Sequence, residues 1–304
     1  MILFSIPVHE KPDVIVNQVE NFTFFNPGCQ IVLHVSGSLH DEDFKRLRTS
    51  VQRVTNVHIN PTRYWTGVND GTVAKAHISN CSYMLKKGVD FKYFCLHASN
   101  DMFVRQGLTN YIVNYDSGYY LNHALYAVDS TWHQIINARK DKGLENIMRK
   151  YQLSRLLGCQ VEGSFYSKAI METVINYAGS FMQEIPFVYS YGTISPKSKL
   201  LKKIEQKVFL PLIKLERYAK EEIYFPTLSQ NVIGKRAGFN YCYIDWANNL
   251  NVTKETIEQV RDGRERELFD KMGLEYDGLS KFFAVKRVDR KMDDPIRVYI
   301  NNLR

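Results

Sequence analysis

The sequence predicts an α/β fold built on a mostly parallel sheet with helices on both faces. Three observations carry this. Short, continuously apolar runs alternate with amphipathic stretches through the first third of the chain. Such runs suit strands buried on both faces, and the intervening stretches have the length and period of crossover helices. The 304 residues, 44% hydrophobic and 24% charged, can also bury a large core.

The elements follow in order. Residues 2–8 read as a first strand and 13–25 as a helix, then 31–35 as a second strand and 41–51 as a second helix with Asp41 as its N-cap. A short strand at 57–59 precedes a long helix over 71–87, ended by Gly88. Residues 93–96 form a buried strand, followed by an expected helix over 102–115. Beyond this point the pattern is less regular. Tyrosine-rich 119–129 reads as extended, 133–157 as helix, 161–166 as a short strand or loop, and 168–177 as helix. With no repeat, low-complexity tract or clear linker, the chain is expected to be a single domain over 1–304. It falls into two halves, 1–115 and 116–304, of which the first has a nucleotide-binding type of architecture. Sheets of this kind bind ligands beyond the carboxyl ends of their strands.

Composition narrows the function. No apolar run approaches the roughly 20 residues that a helix needs to cross a bilayer, and the N-terminus has neither a charged leader nor a small-residue cleavage site. Five cysteines, Cys29, Cys81, Cys95, Cys159 and Cys242, are scattered without a CxxC pair. This favours reduced thiols in a cytoplasmic setting over a zinc site or a disulfide framework. The net charge of +8 favours an anionic partner: a nucleotide diphosphate, a phospholipid surface or nucleic acid. A non-catalytic nucleic-acid-binding protein is the alternative, but no such motif is present and the basic residues are spread out. No Walker-type glycine loop points to phosphoryl transfer.

The strand at 93–96 runs into His97-Ala98-Ser99-Asn100-Asp101, with Asp101 alone where metal-dependent sugar transferases of this architecture carry Asp-x-Asp. The one literal Asp-x-Asp, Asp41-Glu42-Asp43, opens a helix, where acids favour the dipole. No metal or other cofactor is therefore expected, and Lys or Arg would neutralise a leaving diphosphate.

A series of segments resembles the core-2/I-branching β-1,6-N-acetylglucosaminyltransferases and the peptide O-xylosyltransferases, in shared order along most of the chain. Ser5-Ile6-Pro7-Val8-His9-Glu10-Lys11 is similar to the opening strand and His-containing turn of that family, and Ile31-Val32-Leu33-His34-Val35 to its strand ending in His-Val-Asp. Trp65, the helix over 72–85, Phe91-Lys92-Tyr93-Phe94 and Asn100-Asp101-Met102-Phe103 follow in register. Glu162-Gly163-Ser164-Phe165-Tyr166-Ser167 resembles the acceptor segment. Lys220-Glu221-Glu222-Ile223-Tyr224-Phe225-Pro226-Thr227-Leu228 resembles the segment bearing the catalytic glutamate. Tyr243-Ile244-Asp245-Trp246 and Phe282-Phe283-Ala284-Val285-Lys286-Arg287 complete the series.

The resemblance implies a GT-A-like fold and an inverting, metal-independent transfer from a nucleotide-sugar, a UDP-sugar being favoured, to a glycan or lipid-linked glycan. N-acetylglucosaminyl or xylosyl transfer in bacterial surface-polysaccharide synthesis would fit. It places Glu222 as the base, with Glu221 as rival, and Lys286 with Arg287 or Arg261 on the diphosphate. The donor nucleotide would meet Pro7, His9, Val35, Ser36, Trp65 and Asp101, and the acceptor Glu162, Gly163, Ser164, Tyr166 and Trp246. Ser36 departs from the aspartate of the family at that position.

Blander roles remain open. Lys286 could be an outward lysine on a strand, Asp101 a helix cap, and Tyr166 and Trp246 core aromatics. The basic, apolar-interleaved stretch 197–220 has no counterpart in the family. It is either a surface helix pair or a face that would hold the protein peripherally on an anionic membrane.

Overall fold

A computed structural model describes residues 1–67, 69–121, 132–183, 217–232, 236–246, 248 and 251–304. The wholly buried run Ile2–Val8 is β1. It pairs in parallel with β2 (Gln30–Val35) on one side and β4 (Tyr93–Leu96) on the other. The third strand, β3 (Val57–Ile59), continues the parallel set beyond β2. Side chains alternate across β1: Leu3 faces one core with Val32, Ile78 and Phe94, while Phe4 and Ile6 face another with Val19, Phe22 and Leu33. Both faces are thus apolar, as a parallel sheet requires.

Helices α1 (Pro12–Phe25), α2 (Asp41–Val51) and α3 (Thr72–Lys86) make the crossovers. Pro12 and Asp13 suit the first turn of α1, since Pro lacks the N–H that would go unbonded there and an acid favours the dipole. Gly88, at φ +72°, ends the long helix as expected. Asp41 is the first residue of α2 rather than its cap; His40 is the cap position and makes no side-chain cap bond.

The second half departs further from expectation. Residues 102–115 form no single helix. Met102–Phe103 is β5, and only Leu108–Ile112 is helical (α4), with Gly107 at φ +104° between them. Strand β6 (Ser117–Leu121) follows, and expected extended residues 122–129 lie outside the described residues. Helical pattern over 133–157 resolves into α5 (His133–Ala138) and α6 (Lys142–Lys150), because Asp141 caps α6 through a bond from Leu144 N (3.1 Å). Cys159–Ser167 is a full strand, β7, antiparallel to both β4 and β6. Helices α7 (Lys168–Tyr177), α8 (Gly179–Gln183) and α9 (Lys220–Ser229) follow, then β8 (Ala237–Gly238), β9 (Cys242–Ile244), α10 (Lys254–Arg261), α11 (Glu265–Lys271), β10 (Ala284–Lys286) and α12 (Pro295–Asn301). Of the basic stretch 197–220, residues 197–216 lie outside the described residues.

The main sheet runs β3-β2-β1-β4-β7-β6-β8, and a small sheet runs β5-β10-β9. Two registers matter for the site. Tyr93 pairs with Ser167 and Cys95 with Phe165, so the start of β7, including Glu162, projects past the carboxyl end of β4. Lys286 ends β10 beside Ile244 of β9. The small sheet is drawn against β7 at Gly163 (φ +78°), where a Cβ would lie 2.3 Å from the Cys242 nitrogen. Only glycine satisfies both the backbone angle and the approach. A third core, around Tyr243, Ile257, Leu268, Phe282 and Val285, backs the small sheet.

Candidate active site

Two adjoining cavities mark the candidate site, the smaller of them beyond the carboxyl ends of β1 and β4. The smaller, about 350 Å³, is lined by Pro7, His9, Thr66, Gly67, His97 and Arg290 among others. The larger, about 540 Å³, is lined by Tyr120, Trp132, Tyr243, Trp246, Lys271 and others. They meet at Gln134, Glu162, Glu222, Lys286 and Arg287, which line both.

Four elements supply this junction: α5 brings Gln134, β7 Glu162, α9 Glu222, and the end of β10 Lys286 with the adjoining Arg287. Lys286 ends β10 and forms an ion pair with Glu162 of β7. Burial works against its charge, but the carboxylates of Glu162 and Asp101 outweigh burial and hold the ammonium more firmly protonated than an ordinary lysine. Burial likewise pushes Glu162 toward protonation, and the charge and hydrogen bond of Lys286 reverse this, so Glu162 lies below the usual carboxylate range. The main chain of Glu162 is fixed separately, its carbonyl accepting from Gln160 Nε2 (3.0 Å) and Asn240 Nδ2 (3.4 Å).

Glu221 and Glu222 lie in the first turn of α9. Both line the smaller cavity, whereas Glu222 alone of the two also lines the larger. Burial, with the charges of Glu221 and Glu162 added and that of Lys286 opposing, raises the Glu222 carboxyl to about 9. Burial raises Glu221 to about 8. Among the described residues the buried Oε2 of Glu222 has no hydrogen-bond partner.

The start of α9 is anchored by two residues, Gln134 and Asp141. Gln134 Oε1 accepts from Ala219 N (2.7 Å), and the buried Lys220 ammonium pairs with Asp141 (2.7 Å). Tyr218 Oη donates to the same Asp141 oxygen (2.8 Å). Lys220, although it opens the charged run Lys220-Glu221-Glu222, is therefore interior.

The remaining expected residues divide. Pro7 and His9 line the smaller cavity, at the end of β1. Val35, Ser36, Trp65 and Asp101 are buried and line neither cavity. Ser36 Oγ accepts from Thr66 N (3.1 Å) and so supports the loop that reaches the cavity. Asp101 caps no helix, because a strand follows it; its carboxylate accepts from Ala98 N (2.8 Å) and pairs with His97 (2.9 Å). His97 also bonds Tyr241 Oη (2.7 Å), which ties β4 to the small sheet.

Among the acceptor candidates, Glu162 and Trp246 line the larger cavity, and the indole is 55% exposed there. Gly163 and Ser164 are structural in position, the Ser164 hydroxyl donating to Val161 O (2.7 Å). Tyr166 is wholly buried between Tyr119 and Phe225. Arg261 is exposed at the end of α10 and lines neither cavity, whereas Arg287 lines both.

Four residues at or beside the cavities were given no role by the sequence. Gln134 sits in an unremarkable helical pattern and Trp132 just before it. Arg290 follows Arg287 in a basic run, and Glu10 gains a role only when the fold brings it to Arg290 (2.6 Å) and Ser99. Among the described residues, no three His, Cys, Asp or Glu side chains converge as a set of metal ligands.

No protein-family model matches the chain, and no curated protein matches it. Among solved structures, one of LgtC carrying an active-site mutation aligns at TM-score 0.41 and 8% identity, covering 99% of this chain and 94% of that chain. The galactosyltransferase LgtC in complex with donor and acceptor sugar analogues aligns at TM-score 0.38 and 7% identity, with the same coverage. Similarity at this level says nothing about the reaction.

Proposed function

We propose that the chain is an inverting glycosyltransferase of GT-A-like fold that moves a sugar from a nucleotide-sugar to a glycan hydroxyl without a metal ion. The observation that carries this is the junction. Glu222, with an unbonded carboxyl oxygen, faces both cavities beside the Lys286 ammonium. The smaller cavity, at the strand ends where such sheets take nucleotides, would hold the donor. The larger cavity, with Trp246 and Trp132 in its wall, would hold the acceptor, since aromatic faces suit sugar rings.

The transfer then runs across the junction. The acceptor oxygen attacks the anomeric carbon, the bond from that carbon to the diphosphate oxygen breaks, and the hydroxyl proton passes to Glu222. A base on the face opposite the leaving group gives inversion. Negative charge gathering on the diphosphate is offset by Lys286 and Arg287, with Arg290 on the same cavity wall. A carboxyl titrating near 9 accepts a proton well once ionised, so the active form is the one with Glu222 deprotonated.

A UDP-sugar of the N-acetylglucosaminyl or xylosyl type is the proposed donor, and a cytoplasmic role in bacterial polysaccharide synthesis is the proposed setting. Turnover of UDP-sugars in excess EDTA tests the proposal. Wild-type activity should persist on chelation, and Glu222→Gln should lower kcat by about 10²- to 10⁴-fold. Loss of activity on chelation, or an unimpaired Glu222→Gln enzyme, contradicts it.

A further inference from the structure

Two of the three Lys and Arg side chains lining the smaller cavity are already neutralised by carboxylates of the protein itself. Lys286 is held by Glu162, and Arg290 by Glu10 (2.6 Å). Arg287 is exposed and makes no ion pair among the described residues. A phosphate group entering beside Lys286 would meet the Glu162 carboxylate on the same ammonium. Two anions sharing one cation in a partly dry site repel strongly, because water screens them poorly there.

Glu162 has somewhere else to go. It lines the larger cavity as well as the smaller, and its main chain is fixed by Gln160 and Asn240 independently of its side chain. The carboxylate can therefore leave Lys286 by side-chain rotation while β7 stays in place.

We infer that the Glu162–Lys286 pair is an internal counterion contact that a diphosphate must displace, and that Glu162, once released, turns into the larger cavity. This rests on the proposed use of Lys286 as a diphosphate ligand and adds a consequence to it. Filling the smaller cavity changes the wall of the larger one, delivering a carboxylate where an acceptor hydroxyl would bind. Donor binding would then precede and favour acceptor binding.

Inorganic pyrophosphate, titrated calorimetrically into the full-length protein, tests the contact without any transfer reaction. Glu162→Gln removes the competing charge and should bind pyrophosphate about tenfold more tightly than wild type, a difference of about 1.4 kcal/mol. Glu162→Asp, which keeps the charge but withdraws it by one methylene, should also bind more tightly, and it serves if the glutamine variant fails to fold. Asp245→Asn removes a nearby carboxylate that makes no ion pair among the described residues and should bind as wild type does. Glu162 variants that bind no better than wild type, or an Asp245→Asn variant that tightens equally, would overturn the inference while leaving the diphosphate site standing. Absence of binding in wild type and every variant would remove the diphosphate assignment, and the inference with it.

Discussion

Glu222 illustrates how far one residue's chemistry depends on where the chain carries it. In Lys220-Glu221-Glu222 it reads as part of a charged turn, and only its resemblance-based assignment separates it from Glu221. In the fold, Lys220 points inward to Asp141, and Glu222 reaches the junction of two cavities. Its raised carboxyl has a consequence for stability. The unfolded group titrates near 4.5 and the folded one near 9, so between these values the folded state holds a proton that the unfolded state has released. The contribution of Glu222 to stability is thus intact below about pH 4.5 and declines as pH rises toward 9. Glu222→Gln, neutral throughout, should melt close to wild type at pH 5 and increasingly above it toward pH 9. The gain would be about 2–4 °C for each kcal/mol recovered. Thermal melts at several pH values check this; a difference that does not change with pH would contradict it. The Lys286–Glu162 pair was not legible, since its partners lie 124 residues apart and only the fold brings them together.

Legibility among the elements follows their burial pattern. Strands β1 to β4 and the helices between them were readable because each strand is a continuous apolar run and each helix an amphipathic one. Of the small sheet only the strand carrying Lys286 was legible; β5, with two residues, fell inside an expected helix, and β9, with three, is not set between two helices as the equally short β3 is. The long helix expected over 133–157 failed at Asp141, which serves as a cap and as the counterion of Lys220 instead of an exposed helical residue. That pair makes α9 dependent on α6. Lys220→Met leaves a buried carboxylate without its counterion and should lower unfolding free energy by about 3–5 kcal/mol, measurable by urea denaturation. Gly163→Ala, which needs a left-handed alanine and a Cβ against Cys242, should destabilise by about 2 kcal/mol or more. A Gly163→Ala variant as stable as wild type would show that β7 and β9 need not approach so closely.

For the whole molecule, the α/β class and the sidedness of the site follow from topology. The smaller cavity lies at the carboxyl ends of β1 and β4, and the antiparallel β7 carries Glu162 past the end of β4 into the same space. The net charge of +8 fits a donor carrying a diphosphate. Among the described residues no helix is long and apolar enough to cross a membrane. Membrane attachment through 197–220 remains a proposal that co-sedimentation with anionic vesicles would test, and its failure there would remove the idea. If the smaller cavity binds a nucleotide-sugar, a saturating ligand should raise the melting temperature. At 100 times Kd the gain is about 2.7 kcal/mol, and UDP-sugars should act where GDP-, CMP- and TDP-sugars do not.

Glu222, the proposed proton acceptor, lines both cavities where they meet. The pH dependence of kcat/KM for UDP-sugar transfer, compared among wild type, Glu222→Gln and Glu221→Gln, tests that most directly. The rate should climb through the neutral range toward pH 9 in wild type, and Glu221→Gln should keep a rising limb. Glu222→Gln should lose both the limb and most of the rate. An active Glu222→Gln enzyme with the wild-type profile, or loss confined to Glu221→Gln, would contradict the account.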